Sequence, residues 1–283
     1  MTMKPILKWV GGKQALLPQL HKRLPNMSRI TTYIEPFVGA GSLFFSVCPY
    51  RFRKDTKSVL CDKNKALMNV YSQLKNDPDS VIYAHDNLCL DFLSCDEDGK
   101  KQFYYKVRSQ VTSARTFEQA AIFLFLNKTC YNGLYRVNKK GEFNVPFGKY
   151  KRPSFVYSMT LAKAACCLSN SVLISGDFEQ TVCFADSKTF VYIDPPYIPV
   201  CDSSKRAYYT SDGFSFDDHK RVIAMMVELD RRGSRFMLSM SDTPTSRLLY
   251  DRWHMEVVDA PRRVGCKVSS RVPVKELIVR NYV

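Results

Sequence analysis

The sequence predicts an α/β fold, an open β-sheet with helices between its strands, into which a helical and hairpin segment is inserted. Three observations favour it. A strand-like run at 31–35 leads into a glycine turn and an apolar helical run. A second apolar β-run ends in Asp62. The uncharged run Thr189–Ile193 is stopped by Pro195 and Pro196, which cannot continue a β-ladder.

The first candidate binding segment is a loop that contains Trp9, Gly11, Gly12 and Lys13. Paired glycines let a ligand approach the backbone closely, and Lys13 adds a positive charge. The glycine spacing is not that of a nucleotide-triphosphate loop. A tight turn before a helix over 14–24 is the alternative interpretation.

The second candidate segment begins at Glu35, which ends the first strand and precedes a turn with Gly39 and Gly41. This order is typical of nucleotide-type sites, although Phe44 replaces the third glycine of the dinucleotide fingerprint. Asp62 lies 21 residues after Gly41, where a carboxylate can bind ribose hydroxyls. The pattern favours a ligand with adenosine and no phosphates over a glycine pair that only packs a helix.

A basic insertion follows. Helical periodicity over 67–74, 103–111 and 117–126 predicts a small helical insertion. Residues 127–150 form two extended runs around Lys139-Lys140-Gly141, which predicts a hairpin rich in aromatic and basic side chains. Such a hairpin could enter nucleic-acid grooves. An ordinary charged hairpin that covers the core is the alternative.

The sheet pattern returns at 172–176, and Asp177 and Phe178 stand at this strand end. Later elements are predicted as a helix over 219–229, a strand over 235–239, and an antiparallel pair from 255–258 and 277–282. The polar, turn-rich residues 202–216 predict a mobile lid. One loop without acids contains Arg262, Arg263, Lys267 and Arg271.

Asp194 is the candidate catalytic residue because it is fixed at the carboxyl end of a buried strand, where open α/β sheets bind ligands. Its carboxylate and the Pro195 carbonyl could accept the two hydrogens of an amine, while Tyr197 stacks on a flat ring. A solvated aspartate in a proline turn is the alternative.

Composition favours a polyanionic partner. The 283 residues are 45% hydrophobic, which fits one large domain or a domain with an insertion. Lys and Arg outnumber Asp and Glu by 42 to 27, for a net charge of +15. Between Lys100 and Arg152, twelve basic residues accompany only two acids, Glu118 and Glu142.

Other classes of site are not expected. The ten cysteines form no Cys-x-x-Cys pair, and the four histidines lack metal-ligand spacing, so we expect no metal. No uncharged run approaches the roughly 20 residues of a membrane span. No signal peptide opens the chain, and we expect a cytoplasmic protein with reduced thiols.

Five ordered motifs resemble those of the Dam-type adenine-specific DNA methyltransferases, and they span nearly the whole chain. They are Lys-Trp-Val-Gly-Gly-Lys, Glu-Pro-Phe-Val-Gly-Ala-Gly-Ser, the strand end at Asp62, Tyr-Asn-Gly-Leu with Gly-Glu-Phe-Asn-Val-Pro-Phe-Gly, and Asp-Pro-Pro-Tyr. The resemblance implies a Rossmann-like S-adenosylmethionine-dependent methyltransferase sheet with a helical and β-hairpin target-recognition insertion. It also implies methylation of the adenine N6 amine in duplex DNA, within GATC, by base flipping.

The resemblance implies a catalytic domain at 1–70 and 160–283 and a target-recognition domain at 71–159. We expect a monomer in solution. The catalytic motif that it implies is Asp194, Pro195, Pro196 and Tyr197. The cofactor contacts that it implies are Trp9, Lys13, Glu35, Phe37, Gly39, Gly41, Asp62, Asp177, Phe178 and Asp194. The DNA contacts that it implies are Lys8, Tyr131, Asn132, Leu134, Arg136, Asn138, Pro146, Lys149 and Tyr150.

Two positions depart from the family pattern. Lys149 replaces an arginine before Tyr150, and Met240-Ser241 replaces an Asn-His pair. Three other functions remain open: a non-catalytic nucleic-acid-binding protein, methylation of RNA or of cytosine N4, and, least favoured, a small-molecule dehydrogenase.

Overall fold

The structure is a computed structural model that describes residues 3–197, 213–260 and 274–283. The predicted lid at 202–216 lies mostly outside these residues, and so does the basic loop with Arg262, Arg263, Lys267 and Arg271. The chain forms two compact units. The first contains the described residues of 1–4, 13–63 and 174–283, and the second contains 5–12 and 64–173.

A seven-stranded sheet confirms the predicted α/β fold. In chain order its strands are β1 (Thr32–Glu35), β2 (Lys57–Asp62), β3 (Ser171–Ser175), β4 (Thr189–Ile193), β5 (Arg235–Ser241), β6 (His254–Ala260) and β7 (Val274–Arg280). Their order in the sheet is β3-β2-β1-β4-β5-β7-β6. The β1–β2, β1–β4 and β4–β5 pairs are parallel, so these strands end at the same edge. The β5–β7 and β6–β7 pairs are antiparallel, as predicted for the closing pair.

Nine α-helices lie in the described part of the chain. They are α1 (Leu17–Lys22), α2 (Ser42–Arg51), α3 (Lys65–Asn76), α4 (Pro78–Ser94), α5 (Glu97–Ser109), α6 (Thr116–Thr129), α7 (Ser158–Leu168), α8 (Phe216–Arg231) and α9 (Pro244–Leu249). Short polar side chains begin several of them. Asn64 accepts from the Leu67 amide at α3, and Ser215 accepts from the Asp218 amide at α8.

The core of the first unit fixes the central strands. All five residues of β4 are buried. Val191 and Ile193 pack with Ile34 of β1, Phe236 of β5 and Met226 of α8 in one apolar cluster. Because β4 lies between two parallel neighbours and is covered by apolar side chains, the residue that follows it has a rigid support.

The second unit has its own core, formed around α6. Every residue from Ala120 to Thr129 is buried, and Phe125 packs with Phe92 of α4 and Tyr104 of α5. The predicted hairpin reverses at a turn where Asn138 and Gly141 are hydrogen-bonded. Only two isolated antiparallel bridges, Val137–Phe143 and Cys130–Phe147, join its arms instead of a continuous ladder.

The two units divide the chain differently from the predicted boundaries at 70/71 and 159/160. Helices α3 and α7 contact one another, and α3 also contacts α6, so both helices belong to the second unit. The segment 5–12 joins them because the Asn127 side chain binds the backbone of Lys8. No helix in the described ranges is long and apolar enough to cross a membrane. Those same residues contain no group of three or more His, Cys, Asp and Glu that could hold a metal ion.

Candidate functional site

Asp194 stands directly after β4, at the carboxyl edge of the sheet. Its Oδ1 atom lies 3.0 Å from the Lys13 ammonium and accepts a hydrogen bond of 3.2 Å from the Ser239 hydroxyl. Its Oδ2 atom has no partner among the described residues, and 19% of the side chain is exposed. Burial raises the pKa of Asp194, while Lys13 opposes that rise. One carboxylate oxygen is therefore held by the protein and the other can accept from a ligand.

Tyr197 is held at its hydroxyl. Lys13 donates to this oxygen at 2.5 Å, and the hydroxyl donates to Glu276, whose two carboxylate oxygens lie 2.7 and 2.6 Å away. The Lys13 nitrogen is also 4.3 Å from the centre of the Tyr197 ring. Burial and the nearby carboxylates of Asp194 and Glu276 raise the pKa of Tyr197 well above its ordinary value. The phenol therefore stays protonated and acts as a donor.

Neighbouring strands support the same carboxylate. Ser239 is fully buried in β5, and its hydroxyl lies 2.8 Å from that of Tyr192 in β4. A hydrogen-bonded series thus runs from Tyr192 through Ser239 to Asp194. Buried polar groups linked in this way fix the orientation of the carboxylate.

The turn between β1 and α2 requires glycine. Gly39 and Gly41 have φ values of +46° and +62°, in the left-handed region. A Cβ atom on Gly41 would lie 3.0 Å from the Phe45 ring. The Gly39 amide donates to Asp62 Oδ2 at 3.0 Å, so the turn and the end of β2 are joined directly.

Glu35 is buried at the end of β1. Its Oε1 atom accepts from the Phe44 amide at 2.8 Å and from the Tyr33 hydroxyl. Burial raises the pKa of Glu35 to about 8, and the charge of Asp194 acts in the same direction. These contacts give Glu35 a role in holding the turn.

Aromatic rings and acids lie together beside β3. The ring centres of Phe37 and Phe178 are 4.9 Å apart, and Phe214 is 5.8 Å from Phe37. Arg221 lies 4.7 Å from the centre of the Phe178 ring and binds Asp177 at 2.7 Å. The Gly176 amide, next to Asp177, donates to the backbone oxygen of Asp62 at 3.1 Å. Flat apolar rings beside two acids are the groups that an adenosine would need.

In the second unit, Trp9 packs on two aromatic rings. Its ring centre is 5.9 Å from that of Tyr135 and 6.3 Å from that of Phe123, and the ring planes are inclined by 28° in each pair. Lys8 precedes it with an exposed side chain, whose nitrogen lies 5.0 Å from the centre of the Tyr150 ring. The loop that carries Trp9 thus has a fixed place in this unit.

The hairpin residues divide into exposed groups and groups that build the loop. Tyr131, Asn132, Pro146 and Lys149 are exposed, as is Arg136, whose guanidinium also donates to Asn144 at 2.7 Å. Asn138 builds the turn, because its Oδ1 accepts from the Lys140 and Glu142 amides. The partly buried Leu134 packs on the core of this unit. The Tyr150 hydroxyl accepts from the Asn132 amide at 3.2 Å.

Residues 9–264 match the family described as D12 class N6 adenine-specific DNA methyltransferase. The chain belongs to this family. The Type II methyltransferase M.MjaIII of Methanocaldococcus jannaschii is 41% identical over 292 residues, which cover all of both chains. M1.LlaDCHI of Lactococcus lactis, another Type II methyltransferase, is 36% identical and is covered over 96% of its length. The DNA adenine methylase of Escherichia coli is 32% identical over 97% of this chain and 94% of its own.

The protein is thus an adenine-specific DNA methyltransferase of the D12 class, and its sheet is the Rossmann-like sheet that the resemblance predicted. Of the two departures in this D12-class chain, Met240 is fully buried in the core of the first unit, and Ser241 pairs with Glu276 across β5 and β7. Lys149 adopts a left-handed backbone conformation, with φ of +56°.

Four residues of this D12-class enzyme contact the predicted site residues but were not predicted. They are Asn127, Arg221, Ser239 and Glu276, which bind Lys8, Asp177, Asp194 and Tyr197, respectively. Each is a polar side chain within an otherwise apolar or helical pattern. A polar residue in such a pattern indicates that its side chain is paired with another buried polar group, but the sequence does not indicate which residue is the partner.

Proposed function

We propose that this enzyme transfers a methyl group from S-adenosylmethionine to the N6 amine of adenine in duplex DNA, within GATC, after the adenine is flipped out of the helix. The observation that carries the proposal is the asymmetry of the Asp194 carboxylate. Oδ1 is held by Lys13 and Ser239, whereas Oδ2 has no partner among the described residues. An acceptor fixed in this way can bind an exocyclic amine.

The proposed chemistry depends on two acceptors. An adenine amine is a poor nucleophile because its lone pair is delocalised into the ring. Hydrogen bonds from its two N–H groups to Asp194 Oδ2 and to the Pro195 carbonyl would favour a tetrahedral nitrogen and stabilise the positive charge that develops there. Pro196 keeps this backbone rigid, and Tyr197 offers a ring for stacking on the base.

S-adenosylmethionine supplies a methyl group bound to a sulfonium. The residues of the first unit suit its adenosine. Two left-handed glycines keep side chains away from the turn, Asp62 stands beside it, and Phe37 and Phe178 form an aromatic pair next to Asp177. We assign the adenine to the aromatic pair and the ribose hydroxyls to Asp62. Further cofactor contacts are proposed for Trp9, Lys13, Glu35 and Asp194.

Duplex DNA is the proposed substrate because the basic stretch from Lys100 to Arg152 lies entirely in the second unit. We assign target recognition to residues 71–159. The base-reading residues that we propose are Lys8, Leu134, Arg136, Pro146 and Tyr150. Tyr131 and Asn132 are proposed to lie near the flipped adenine, and Asn138 and Lys149 to contact the backbone. Base flipping costs a few kcal/mol, which stacking on Tyr197 would partly offset.

The test compares Asp194→Ala and Asp194→Asn with the exposed control Asp55→Asn. Transfer of labelled methyl groups to a GATC duplex should fall by about 10²-fold or more in Asp194→Ala, since it loses an acceptor for developing charge. The control should retain wild-type activity. Near wild-type turnover of Asp194→Ala would overturn the proposed mechanism.

The substrate is tested separately. Wild-type protein should label the GATC duplex, but neither a duplex with one base of the site changed nor an RNA duplex of the same sequence. DNA from expressing cells should also resist GATC-cutting endonucleases that adenine methylation blocks, and it should be cut by those that require adenine methylation. Equal labelling of the changed duplex would remove GATC from the proposal, and labelling of RNA would remove the restriction to DNA.

A further inference from the structure

Glu276 is a buried acid in an otherwise apolar strand. It lies in β7 next to Leu277, Ile278 and Val279, all of which are fully or almost fully buried, and only 7% of Glu276 is exposed. Its partner in β5 is Ser241, two residues beyond Ser239, whose hydroxyl binds Asp194. The antiparallel pairing therefore brings Glu276 to the edge of the sheet that carries Asp194.

The contacts of Glu276 are with residues of the proposed catalytic motif. Both of its carboxylate oxygens lie within 2.7 Å of the Tyr197 hydroxyl. The same hydroxyl accepts from Lys13, which also binds Asp194. A continuous series of contacts thus links Glu276, Tyr197, Lys13 and Asp194. Within it, the Lys13 ammonium binds the Asp194 carboxylate, and its charge acts on the carboxylate of Glu276.

We propose that Glu276 is a positioning residue for methyl transfer, which fixes the Tyr197 ring through its hydroxyl and balances the charge of Lys13 beside Asp194. This inference rests on the proposed function of Asp194 and Tyr197. Burial raises the pKa of Glu276 and the charge of Lys13 opposes that rise, so Lys13 favours the ionised form of Glu276 that burial disfavours.

Anchoring matters because a stacking ring must hold its plane. Tyr197 follows two prolines that fix the backbone, but its side chain still rotates about two bonds. A hydrogen bond at the far end of the ring removes that freedom, and small misplacements of a reacting group can cost about 10²-fold in rate. Without the Glu276 charge, Lys13 would also pair more strongly with Asp194 and compete with the amine for that carboxylate.

The experiment is a double-mutant cycle with Glu276→Gln, Tyr197→Phe and the combined variant, with Glu256→Gln of the neighbouring strand β6 as the matched control. Glu256 binds Arg23 and Arg280 and contacts none of the motif residues in the described structure. For each protein, kcat and KM for GATC duplex are measured, together with the thermal unfolding midpoint. Glutamine has the shape of glutamate, and therefore Glu276→Gln isolates the lost charge.

We expect Glu276→Gln and Tyr197→Phe each to lower kcat by about 10-fold, with KM changed less than about 2-fold, because they disturb the reacting geometry and not DNA binding. The combined variant should be no slower than the slower single variant, because both changes weaken the same interaction between Glu276 and Tyr197. The control should keep wild-type kcat, and the unfolding midpoint of Glu276→Gln should match that of the wild type.

Two results would overturn the positioning role while the proposed function stands. The first is a wild-type kcat in Glu276→Gln. The second is a loss of kcat in the combined variant that equals the product of the losses in the two single variants. If Glu276→Gln lowers kcat and also lowers the thermal unfolding midpoint, the loss of activity would likewise identify a structural role. If the wild-type chain transfers no methyl group to adenine, the proposed function fails first and the positioning role fails with it.

Discussion

At the scale of single residues, the site is a group of buried acids whose protonation depends on their surroundings. Glu35 shows this most clearly, because burial raises its pKa to about 8 from 4.5. The folded state therefore favours the protonated acid. Its contribution to stability is complete below about pH 4.5 and is lost as the pH rises through about 8.

Replacement of Glu35 by glutamine should remove this pH dependence. The amide oxygen can still accept from the Phe44 amide and the Tyr33 hydroxyl, but it carries no charge to bury. We expect Glu35→Gln to unfold at a higher temperature than the wild type at pH 8, and the two proteins to converge as the pH falls toward 4.5. The difference in unfolding temperature between the two proteins is measured by thermal unfolding across this pH range, with Asp55→Asn as the exposed control. Parallel curves for wild type and Glu35→Gln would contradict the assigned pKa.

Single-residue positions were predictable where they depend on local sequence. Asp194 lies at a strand end because Pro195 and Pro196 stop β4, and the glycine turn follows from Gly39 and Gly41. The partners of these residues were not predictable. Ser239 is 45 residues from Asp194 and Glu276 is 79 residues from Tyr197, and only the pairing of β5 with β4 and β7 brings them into contact.

At the scale of elements, the end of α6 organises the second unit. Asn127 is buried there, and its side chain both accepts from the Lys8 amide at 2.8 Å and donates to the Lys8 carbonyl at 2.7 Å. It also donates to the Gly133 carbonyl at 3.3 Å. A Cβ atom on Gly133 would lie 2.7 Å from the Lys8 side chain, so the loop and the segment 5–12 are closely packed.

Asn127→Ala should therefore disturb both stability and site discrimination. It leaves the buried backbone groups of Lys8 without their partners, which should cost about 1–3 kcal/mol of unfolding free energy. We expect methylation to become less selective for GATC over a duplex with one base changed, because Lys8 is a proposed base reader. The control is Asn69→Ala, whose side chain makes one exposed bond to the Thr116 carbonyl. Unchanged selectivity for GATC in Asn127→Ala would contradict the proposed role of Lys8 as a base-reading residue.

Most elements were predictable from the periodicity of their apolar residues. For the elements that were not, the structure shows a physical reason. The strands and the helix α8 have clear apolar patterns, and the structure contains them close to the predicted bounds. The short helix α9 is too brief for a periodic signal and depends on Pro244 and on Thr243, which caps its first turn. The hairpin arms meet at only two bridges, and backbone groups of Lys140, Glu142 and Asn144 bond to the side chains of Asn138 and Arg136.

At the scale of the whole molecule, the sequence predicted the fold class and the family, but not the division into units. The segment 5–12 lies far from residues 64–173 in the chain, and yet it belongs with them through the bonds of Asn127 to Lys8 and the stacking of Trp9 on Tyr135. Contacts between segments so distant in sequence leave no periodic pattern. Composition, in contrast, is visible without any structure, and it locates the most basic stretch of the chain, from Lys100 to Arg152, in the second unit.

This charge predicts a salt-dependent affinity for DNA. Each phosphate that a lysine neutralises releases counterions and adds about 0.9 to the slope of log affinity against log salt concentration. Lys139 and Lys140 are exposed at the hairpin turn. If both contact phosphates, replacing them with alanine should lower the slope by about 1.8 without changing the preference for GATC.

The control is the double variant Lys54→Ala with Lys57→Ala, which removes the same charge from exposed positions of the first unit. Fluorescence anisotropy with labelled duplex at several salt concentrations measures the slopes. Equal slopes for the two double variants would show that net charge, and not the hairpin, governs the attraction to DNA.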